Sequence, residues 1–339
     1  MYRSEITINL GALRRNARTL LRALGGAELW AVVKANGYGH GAEQVAGAAL
    51  GAGASGLCVA TVPEGLALRP GFPGVRILVM GPATNRETAM ARDAELELAV
   101  SSTEIPEGLR IHVKLDTGMG RWGLAELPAP SREVVGLMSH LATADSDLAF
   151  ARWQIERFRS VASENRELFC HLANSAAALR IPEARFDGAR CGIALYGLSP
   201  FGEDPARDGL EPVLHWGSHI AAVRELPAGL GTGYGRRFVA ERPTWVGIVP
   251  VGYADGFRRD LTGTQVRVGG ELRSVVGTVS MDAFAVELDR ELPVGTPVTI
   301  IGHGVLAEDH ARVAGTINYE LVTGIESSPT RARRTVADG

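Results

Sequence analysis

Ala31-Val-Val-Lys34-Ala-Asn-Gly-Tyr38-Gly-His-Gly41 carries a short apolar run that ends in a lysine, with a glycine-rich turn directly behind it. The run is typical of a buried β-strand, and Lys34 then stands where the strand ends. Partial burial lowers the pKa of an ammonium group, and the neutral amine can form a Schiff base with an aldehyde. The stretch thus fits a reactive lysine. It equally fits a lysine whose stem covers apolar surface while its amine reaches solvent.

Similar β-rich apolar runs recur up to about residue 191, and helix-like stretches at 10–24, 41–51, 85–93 and 148–164 alternate with them. The runs cover 29–34, 55–61, 76–81, 96–101, 110–115, 134–140, 168–172 and 186–191. Eight strands alternating with helices predict an α/β fold of the (β/α)8 barrel type. Barrels of this type carry their chemistry at the carboxyl ends of the strands. The candidate residues at those ends are Lys34, Lys114, His140, His171 and Arg190.

From about residue 212 the pattern changes to short strands separated by glycine and proline. These strands are predicted at Trp245–Val251, Gln265–Val268, Ser274–Thr278, Ala283–Leu288 and Pro297–Ile301. We therefore predict a barrel over residues 1–211 and a mostly-β C-terminal domain over 212–339. The first few residues of the chain are candidates to pair with this β domain.

Two connections inside the predicted barrel are short. A crossover between parallel strands normally needs a dozen or more residues and usually contains a helix. Segments 102–109 and 122–133 must each carry such a crossover, and the first has room for at most one helical turn. We expect the outer ring of helices to be incomplete at these places.

Composition narrows the possible functions. The net charge of −3, with acidic and basic residues interspersed, offers no basic surface for nucleic acid. The apolar runs are too short to span a bilayer, and the N-terminal residues lack the apolar core of a signal peptide, so we expect a cytoplasmic protein without a membrane partner. The widely spaced Cys58, Cys170 and Cys191 are expected to be buried free thiols, and no metal site is predicted.

Eight stretches in a fixed order resemble those of the alanine racemases, which are fold-type III pyridoxal-phosphate enzymes. The first is the Lys34 stretch, and together they extend over nearly the whole chain. The others are Lys114–Arg121, Ser139–Asp145, His171–Ser175, Arg190–Gly197, Gly252–Gly256, Ser280–Asp282 and Thr316–Glu320. A lone glycine-flanked lysine is a weak signal, whereas eight ordered stretches are a strong one. Relatives of this type usually carry fuller helices at the two short connections.

The resemblance implies racemisation of alanine by two bases on opposite faces of the substrate, to supply D-alanine for cell-wall peptidoglycan. The lysine matching Lys34 holds pyridoxal phosphate and serves the D-facing side. The tyrosine matching Tyr253 serves the L-facing side from the neighbouring subunit of a homodimer. Outside this context Tyr253 would more often be structural, because a phenol with a pKa near about 10 is a poor base at neutral pH.

The resemblance also implies how the cofactor is bound. The arginine matching Arg190 faces the pyridine nitrogen, and because arginine only donates hydrogen bonds, that nitrogen would stay unprotonated. His171 would orient Arg190, and His140 would lie near the ring, although either histidine alone would more often be an ordinary core residue. The remaining cofactor-binding residues, mostly hydroxyl and backbone groups around the phosphate, are Tyr38, Asn174, Ser175, Gly192, Ile193 and Tyr319.

Two further residues are implied to bind the amino-acid substrate. Arg121 would contact its carboxylate and the phenolic oxygen of the cofactor, and the backbone N–H of Met281 would contact the carboxylate from the partner subunit. The lysine matching Lys114 is often carbamylated in the family, and the carbamate would orient Arg121, which an unmodified lysine would repel. After Glu320-Leu-Val-Thr-Gly the sequence departs from the family pattern without touching these groups.

Other functions stay open at this point. A racemase of broader specificity, serine included, fits the same residues, because an added hydroxyl changes selectivity by only about 1–3 kcal/mol in a simple pocket. A decarboxylase on a similar barrel is disfavoured, because the β domain offers no candidate cysteine. All three cysteines precede residue 212. A non-catalytic protein that binds pyridoxal phosphate would keep Lys34 but would not need Tyr253, Arg121 or Met281.

Overall fold

The chain starts with strand β1 (Glu5–Asn9) and helix α1 (Leu10–Leu24), and eight parallel strands then close a barrel. The computed structural model describes residues 2–302 and 304–338. The barrel strands are β2 (Glu28–Val32), β3 (Gly56–Val59), β4 (Arg76–Val79), β5 (Glu97–Val100), β6 (Arg110–Lys114), β7 (Val134–Met138), β8 (Phe169–His171) and β9 (Gly188–Cys191). Pairing of β2 with β9 closes the ring. The predicted (β/α)8 barrel is confirmed.

Strand β3 forms where the sequence is apolar on both faces. Leu57, Cys58 and Val59 are fully buried in succession, as expected for a parallel sheet covered on one side by helices and filled on the other by its own interior. All three cysteines are free and buried.

Several helices of this part of the chain begin at side chains that cap them. Thr61 and Thr84 each form a capping box with the glutamate three residues later, and Asp147 accepts hydrogen bonds from the first N–H groups of its helix. After α1 the helices are α2 (Lys34–Tyr38), α3 (Ala42–Gly51), α4 (Val62–Leu68), α5 (Asn85–Asp93), α6 (Leu148–Glu164) and α7 (Ser175–Arg180). The expected gaps are confirmed, since 101–109 and 115–133 are described throughout and contain no helix.

Two structural units make up the chain. The barrel unit comprises Leu13–Phe201 and Pro205–Glu211, and the β unit comprises the residues up to Ala12, Gly202–Asp204 and the residues from Pro212 onward. The β unit includes β1 because Glu5 pairs with Gly217 on one side and with Arg333 on the other.

The β unit is built on a nine-stranded sheet. Its strands after β1 are β10 (Leu214–His219), β11 (Ala222–Leu226), β14 (Thr244–Val249), β15 (Gln265–Val268), β16 (Glu271–Val276), β17 (Phe284–Leu288), β18 (Pro297–Ile301) and β19 (Arg333–Ala337), while β12 (Gly231–Thr232) and β13 (Phe238–Val239) form a separate hairpin. All five predicted strands are present. The sequence did not predict β10, β11, β19 or helices α8 (Ala307–Ala314) and α9 (Asn318–Thr323).

Phe257 and Phe284 stack in the core of this unit with ring centroids 4.2 Å apart. Across the described part of the chain, no helix combines the length and apolar character that crossing a bilayer requires.

Candidate active site

Lys34 lies where the chain leaves β2 and turns left-handed. The N–H of Val33 still bonds to Cys58 O of the neighbouring strand at 2.8 Å. Ala35, Asn36 and Tyr38 then have φ values of 50°, 52° and 53°. Left-handed backbone costs a non-glycine residue roughly 1–2 kcal/mol, because its Cβ crowds the following carbonyl. Contacts elsewhere must therefore stabilise this turn, and outliers of this kind cluster at functional sites.

The carboxylate of Glu64 supplies such contacts. Its Oε1 accepts the N–H of Ala35 at 2.7 Å, and its Oε2 accepts the N–H of Ala60 at 2.8 Å. Asn36 adds a second tie, since its side-chain oxygen accepts the N–H of Ala42 at 3.1 Å. One carboxylate thus joins the end of β3 to the lysine turn. Glu64 was not predicted as a site residue; its position in a Thr-x-x-Glu capping box indicates a helix start and nothing more.

The amine of Lys34 is half-buried, and both a cation and a carboxylate act on it. Burial lowers the pKa of this amine, the Arg121 guanidinium lowers it further, and the Glu64 carboxylate opposes both effects. A lowered pKa increases the fraction of neutral amine, which is the form that attacks a carbonyl or accepts a proton.

Arg190, on β9, is buried, and its two Nη groups make its hydrogen bonds. Its Nη1 lies 2.9 Å from His171 Nδ1 and donates to His171 O, while its Nη2 donates to Ser139 O at 2.6 Å and lies 3.3 Å from His140 Nδ1. None of the hydrogen bonds formed with other described residues uses its Nε–H. Burial lowers the pKa of Arg190 to about 10, so the guanidinium remains protonated at neutral pH.

His140 stays neutral beside these cations. Burial is the main cause of its lowered pKa of about 3, followed by the charges of Arg190 and Lys114. The predicted proximity of His171 to Arg190 is present in the structure. His140, which was expected near the cofactor ring, also lies beside Arg190.

Tyr38, Ser175 and Gly192 converge on one place. The hydroxyl of Ser175 accepts the backbone N–H groups of Gly192 and Ala194 at 3.1 and 3.3 Å. A Cβ added to Gly192 would lie 2.3 Å from the hydroxyl oxygen of Tyr38, so only glycine permits this approach. Asn174, the preceding residue, caps α7 by accepting the N–H of Ala177. Ile193 is buried beside Gly192.

Lys114 ends β6 and is followed by the loop that carries Arg121. Burial lowers the pKa of Lys114 to about 8, and the charges of Arg190 and Arg121 contribute. Both cations lie near the Trp122 ring, whose centroid is 5.3 Å from Lys114 Nζ and 5.0 Å from Arg121 Cζ. Asp116 orders the loop by accepting three successive N–H groups, starting with Gly118; its role was not predicted.

In the β unit, Tyr253 and Met281 are brought together. Tyr253 N–H donates to Ser280 O at 3.1 Å, and the next N–H donates to Met281 O at 3.0 Å. A Cβ on Gly252 would lie 2.3 Å from Ser280 O, which explains the glycine before the tyrosine. Both side chains are exposed in the single chain, Tyr253 at 43% and Met281 at 52%.

A buried carboxylate anchors the Tyr253 turn. Asp255 has no exposure, and it pairs with Arg3 at 2.6 Å and with Arg331 at 2.9 Å. Arg331 also pairs with Asp282, in keeping with a structural role for that neighbour of Met281. Tyr319 is half-buried on α9.

The structure is a (β/α)8 barrel with a lysine amine at the carboxyl end of one of its strands, the end at which enzymes of this fold carry their chemistry. Within residues 2–302 and 304–338, no group of three or more His, Cys, Asp or Glu side chains is placed to hold a metal ion.

Comparison with known proteins identifies the family. Residues 8–200 match the alanine racemase N-terminal domain, and residues 213–333 match the alanine racemase C-terminal domain. The chain belongs to the alanine racemase family, and its enzymatic class is therefore that of an amino-acid racemase acting on alanine.

Individual relatives agree over nearly full length. Alanine racemase of Listeria monocytogenes serovar 1/2a is 38% identical over 93% of this chain and 94% of its own. Alanine racemase of Ligilactobacillus salivarius is 37% identical over 94% of each chain. The crystal structure of alanine racemase from Streptomyces lavendulae, a D-cycloserine producer, superposes with a TM-score of 0.92 at 36% identity, covering 100% of this chain and 98% of that one. Biosynthetic alanine racemase from Pseudomonas aeruginosa gives 0.91 at 35% identity, covering 99% and 100%.

Proposed function

We propose that this alanine racemase binds pyridoxal phosphate at Lys34 and works with two bases, Lys34 and Tyr253 of the partner subunit. The observation that carries the proposal is the Lys34 amine, which stands on a stabilised left-handed turn with a lowered pKa. The chain would act in the cytoplasm as a homodimer and supply D-alanine for peptidoglycan.

The residues of the barrel unit fit this cofactor. Lys34 offers an amine for its aldehyde, and the Nε–H of Arg190 is a donor suited to a ring nitrogen. At Gly192, the absence of a Cβ lets the Tyr38 hydroxyl approach the backbone that bonds to the Ser175 hydroxyl, and a pair of hydroxyls suits a phosphate. His140, Asn174, Ile193 and Tyr319 would complete the set. Bound pyridoxal phosphate would supply the electron sink that makes the Cα–H of alanine acidic enough to remove.

The side chains would have different roles in moving the substrate proton. Lys34, as a neutral amine, can take or return a proton on one face of the substrate. Arg190 can only donate hydrogen bonds, so it holds its acceptor without giving up a proton. His140 and His171, both with lowered pKa values, add no further positive charge. Burial and the charge of Arg121 therefore favour proton transfer at Lys34.

Tyr253 supports a role across a subunit interface. Its exposure together with Met281 leaves an apolar and phenolic pair at the surface of the single chain, and a second copy would cover both. In that arrangement the β domain, residues 212–339, would supply the second base to a barrel, residues 1–211, of the other subunit.

Arg121 would bind the substrate carboxylate, and Lys114 would support it as a carbamate. Carbon dioxide reacts only with a neutral amine, and a pKa of about 8 gives Lys114 an appreciable neutral fraction near neutral pH. Conversion to a carbamate would replace a repelling cation beside Arg121 with an anion.

The direct test is conversion of each alanine enantiomer by the purified protein with pyridoxal phosphate. We expect both reactions to end at equal amounts of L- and D-alanine, because enantiomers have equal free energies. L-Serine run in parallel separates an alanine enzyme from a broader racemase. Tight cofactor binding at Lys34 without conversion of either amino acid would contradict the proposal and indicate a non-catalytic binding protein.

A further inference from the structure

A continuous chain of four buried side chains runs through the barrel interior from Arg190. Arg190 Nη1 lies 2.9 Å from His171 Nδ1, His171 Nε2 lies 2.8 Å from His112 Nδ1, and His112 Nε2 lies 2.8 Å from Glu97 Oε2. Each of the four is at most 3% exposed. His112 and Glu97 have no part in the proposed function as stated above.

The two ends of this chain determine every proton in it. A guanidinium only donates and a carboxylate only accepts. His171 must therefore accept at Nδ1, and being neutral it carries its single proton on Nε2 and donates to His112. His112 then accepts at Nδ1 and donates from Nε2 to Glu97. Any other placement of the ring protons sets two donors against each other, because a proton on His171 Nδ1 would face Arg190.

We propose that Glu97 is a positioning residue for racemisation, because through His112 it fixes the proton on His171 and so holds the guanidinium of Arg190 in place. This inference rests on the proposed role of Arg190 in binding pyridoxal phosphate.

Glu97 is itself tightly anchored. Its Oε1 accepts Arg76 Nε at 2.8 Å and Arg110 Nε at 2.9 Å, and its Oε2 accepts Arg76 Nη2 at 3.1 Å in addition to His112. Burial alone would raise the pKa of this carboxyl, but hydrogen bonds from His112 and Arg76 outweigh burial and lower it. The carboxylate therefore stays ionised and acts only as an acceptor.

The surroundings of the two histidines are shaped to fit this chain. A Cβ on Gly136 would lie 2.3 Å from His112 Nδ1, the atom that accepts from His171. Trp30 packs beside the His171 ring with centroids 6.0 Å apart. Burial lowers the pKa of both His112 and His171, which agrees with neutral rings.

The test is ¹⁵N NMR of protein labelled at the histidine side chains, recorded with pyridoxal phosphate bound. We expect His112 and His171 to be neutral Nε2–H tautomers in the wild type, with assignments made from His112→Gln and His171→Gln. In Glu97→Gln, an amide N–H₂ must face the donors either of His112 or of Arg76 and Arg110. We therefore expect the ¹⁵N signals of His112 and His171 to change and the dissociation constant for pyridoxal phosphate to rise about tenfold.

Arg110→Gln is the matched control, because Arg110 contacts the same carboxylate from its solvent-facing side. We expect this variant to keep both tautomers and the affinity for pyridoxal phosphate. An Nδ1–H or doubly protonated ring in the wild type, or unchanged histidine signals and affinity in Glu97→Gln, would overturn the inference. The wild-type spectrum decides even if Glu97→Gln does not fold. Absence of alanine racemisation would contradict the proposed function and not this proton arrangement, so the two failures are distinguishable.

Discussion

Substituting Gly192 by alanine should disturb the cofactor site through a single contact. The new Cβ would lie 2.3 Å from the hydroxyl oxygen of Tyr38 and 2.8 Å from its Cζ, whereas ordinary van der Waals contact begins at 3.4 Å. The φ of Gly192 is −109°, outside the left-handed region, so no left-handed strain adds to this clash. Tyr38 must therefore move by about 1 Å to restore normal contact.

Two magnitudes follow from this displacement. Overfilling a packed site costs about 1–3 kcal/mol, which we expect as a loss in the free energy of unfolding. Losing a hydrogen bond from the Tyr38 hydroxyl to a charged phosphate costs about 1.5–3 kcal/mol, or roughly a tenfold to hundredfold weaker affinity for pyridoxal phosphate. Urea unfolding of the protein without added cofactor and equilibrium titration with pyridoxal phosphate measure the two quantities separately.

Gly47→Ala is the control, because its nearest neighbour atom would be 3.9 Å away, on Phe72, and the residue lies inside α3. We expect that variant to gain about 0.5–1 kcal/mol in stability and to bind cofactor normally. Tyr38→Phe completes a double-mutant cycle, since removing the hydroxyl removes the closest clash. The effects of Gly192→Ala and Tyr38→Phe should then be less than additive. Strict additivity would refute the steric argument.

Three further predictions concern the proposed chemistry. Borohydride reduction with pyridoxal phosphate should add the cofactor to the peptide containing Lys34, as measured by mass spectrometry, and Lys34→Ala should abolish the adduct; the same adduct in that variant would exclude Lys34 as the attachment point. Mixing inactive Lys34→Ala and Tyr253→Phe proteins under subunit exchange should restore roughly a quarter of wild-type activity, because about half of the dimers then carry one complete site. Verified hybrids without activity would place both bases in one subunit. Carbon-13 NMR with labelled carbon dioxide should show a carbamate signal that increases as the pH rises through about 8, because deprotonation of Lys114 above its lowered pKa yields the reactive amine. The signal should be absent in Lys114→Ala, and a signal independent of Lys114 would count against that site.

The barrel could be predicted from sequence because its strands are local apolar runs between recognisable helices. Helix boundaries such as Leu148–Glu164 and Asn85–Asp93 follow from periodicity and capping residues that lie within a few positions of each other. The short strands of the β unit were harder to predict. β1 and β19 pair across more than three hundred residues, as Thr7 does with Thr335, and nothing local to either segment indicates that pairing.

The candidate site shows the same division. Lys34, Arg190 and Ser175 stand in stretches that can be matched to a family, so a resemblance finds them. Glu64 and Glu97 act on residues 29 and 15 positions away, at Ala35 and His112. Those contacts exist only once the strands have closed into a barrel, so the sequence shows the carboxylates without their partners. The left-handed φ of Ala35 was equally hidden, because alanine rarely adopts that region.

The charges of the barrel site affect its lysine and arginine side chains differently. Lys34, Lys114, Arg121 and Arg190 act on one another electrostatically, and each lysine loses proton affinity through burial and through its cationic neighbours. Arg190 loses affinity as well, yet its pKa falls only to about 10, because a guanidinium starts from a much higher value. The same environment therefore leaves the arginine a permanent donor and moves the lysines toward neutral amines. A lysine in place of Arg190 would lose its proton too easily to serve as a fixed donor, and an arginine in place of Lys34 could neither form a covalent bond to a cofactor nor accept a proton.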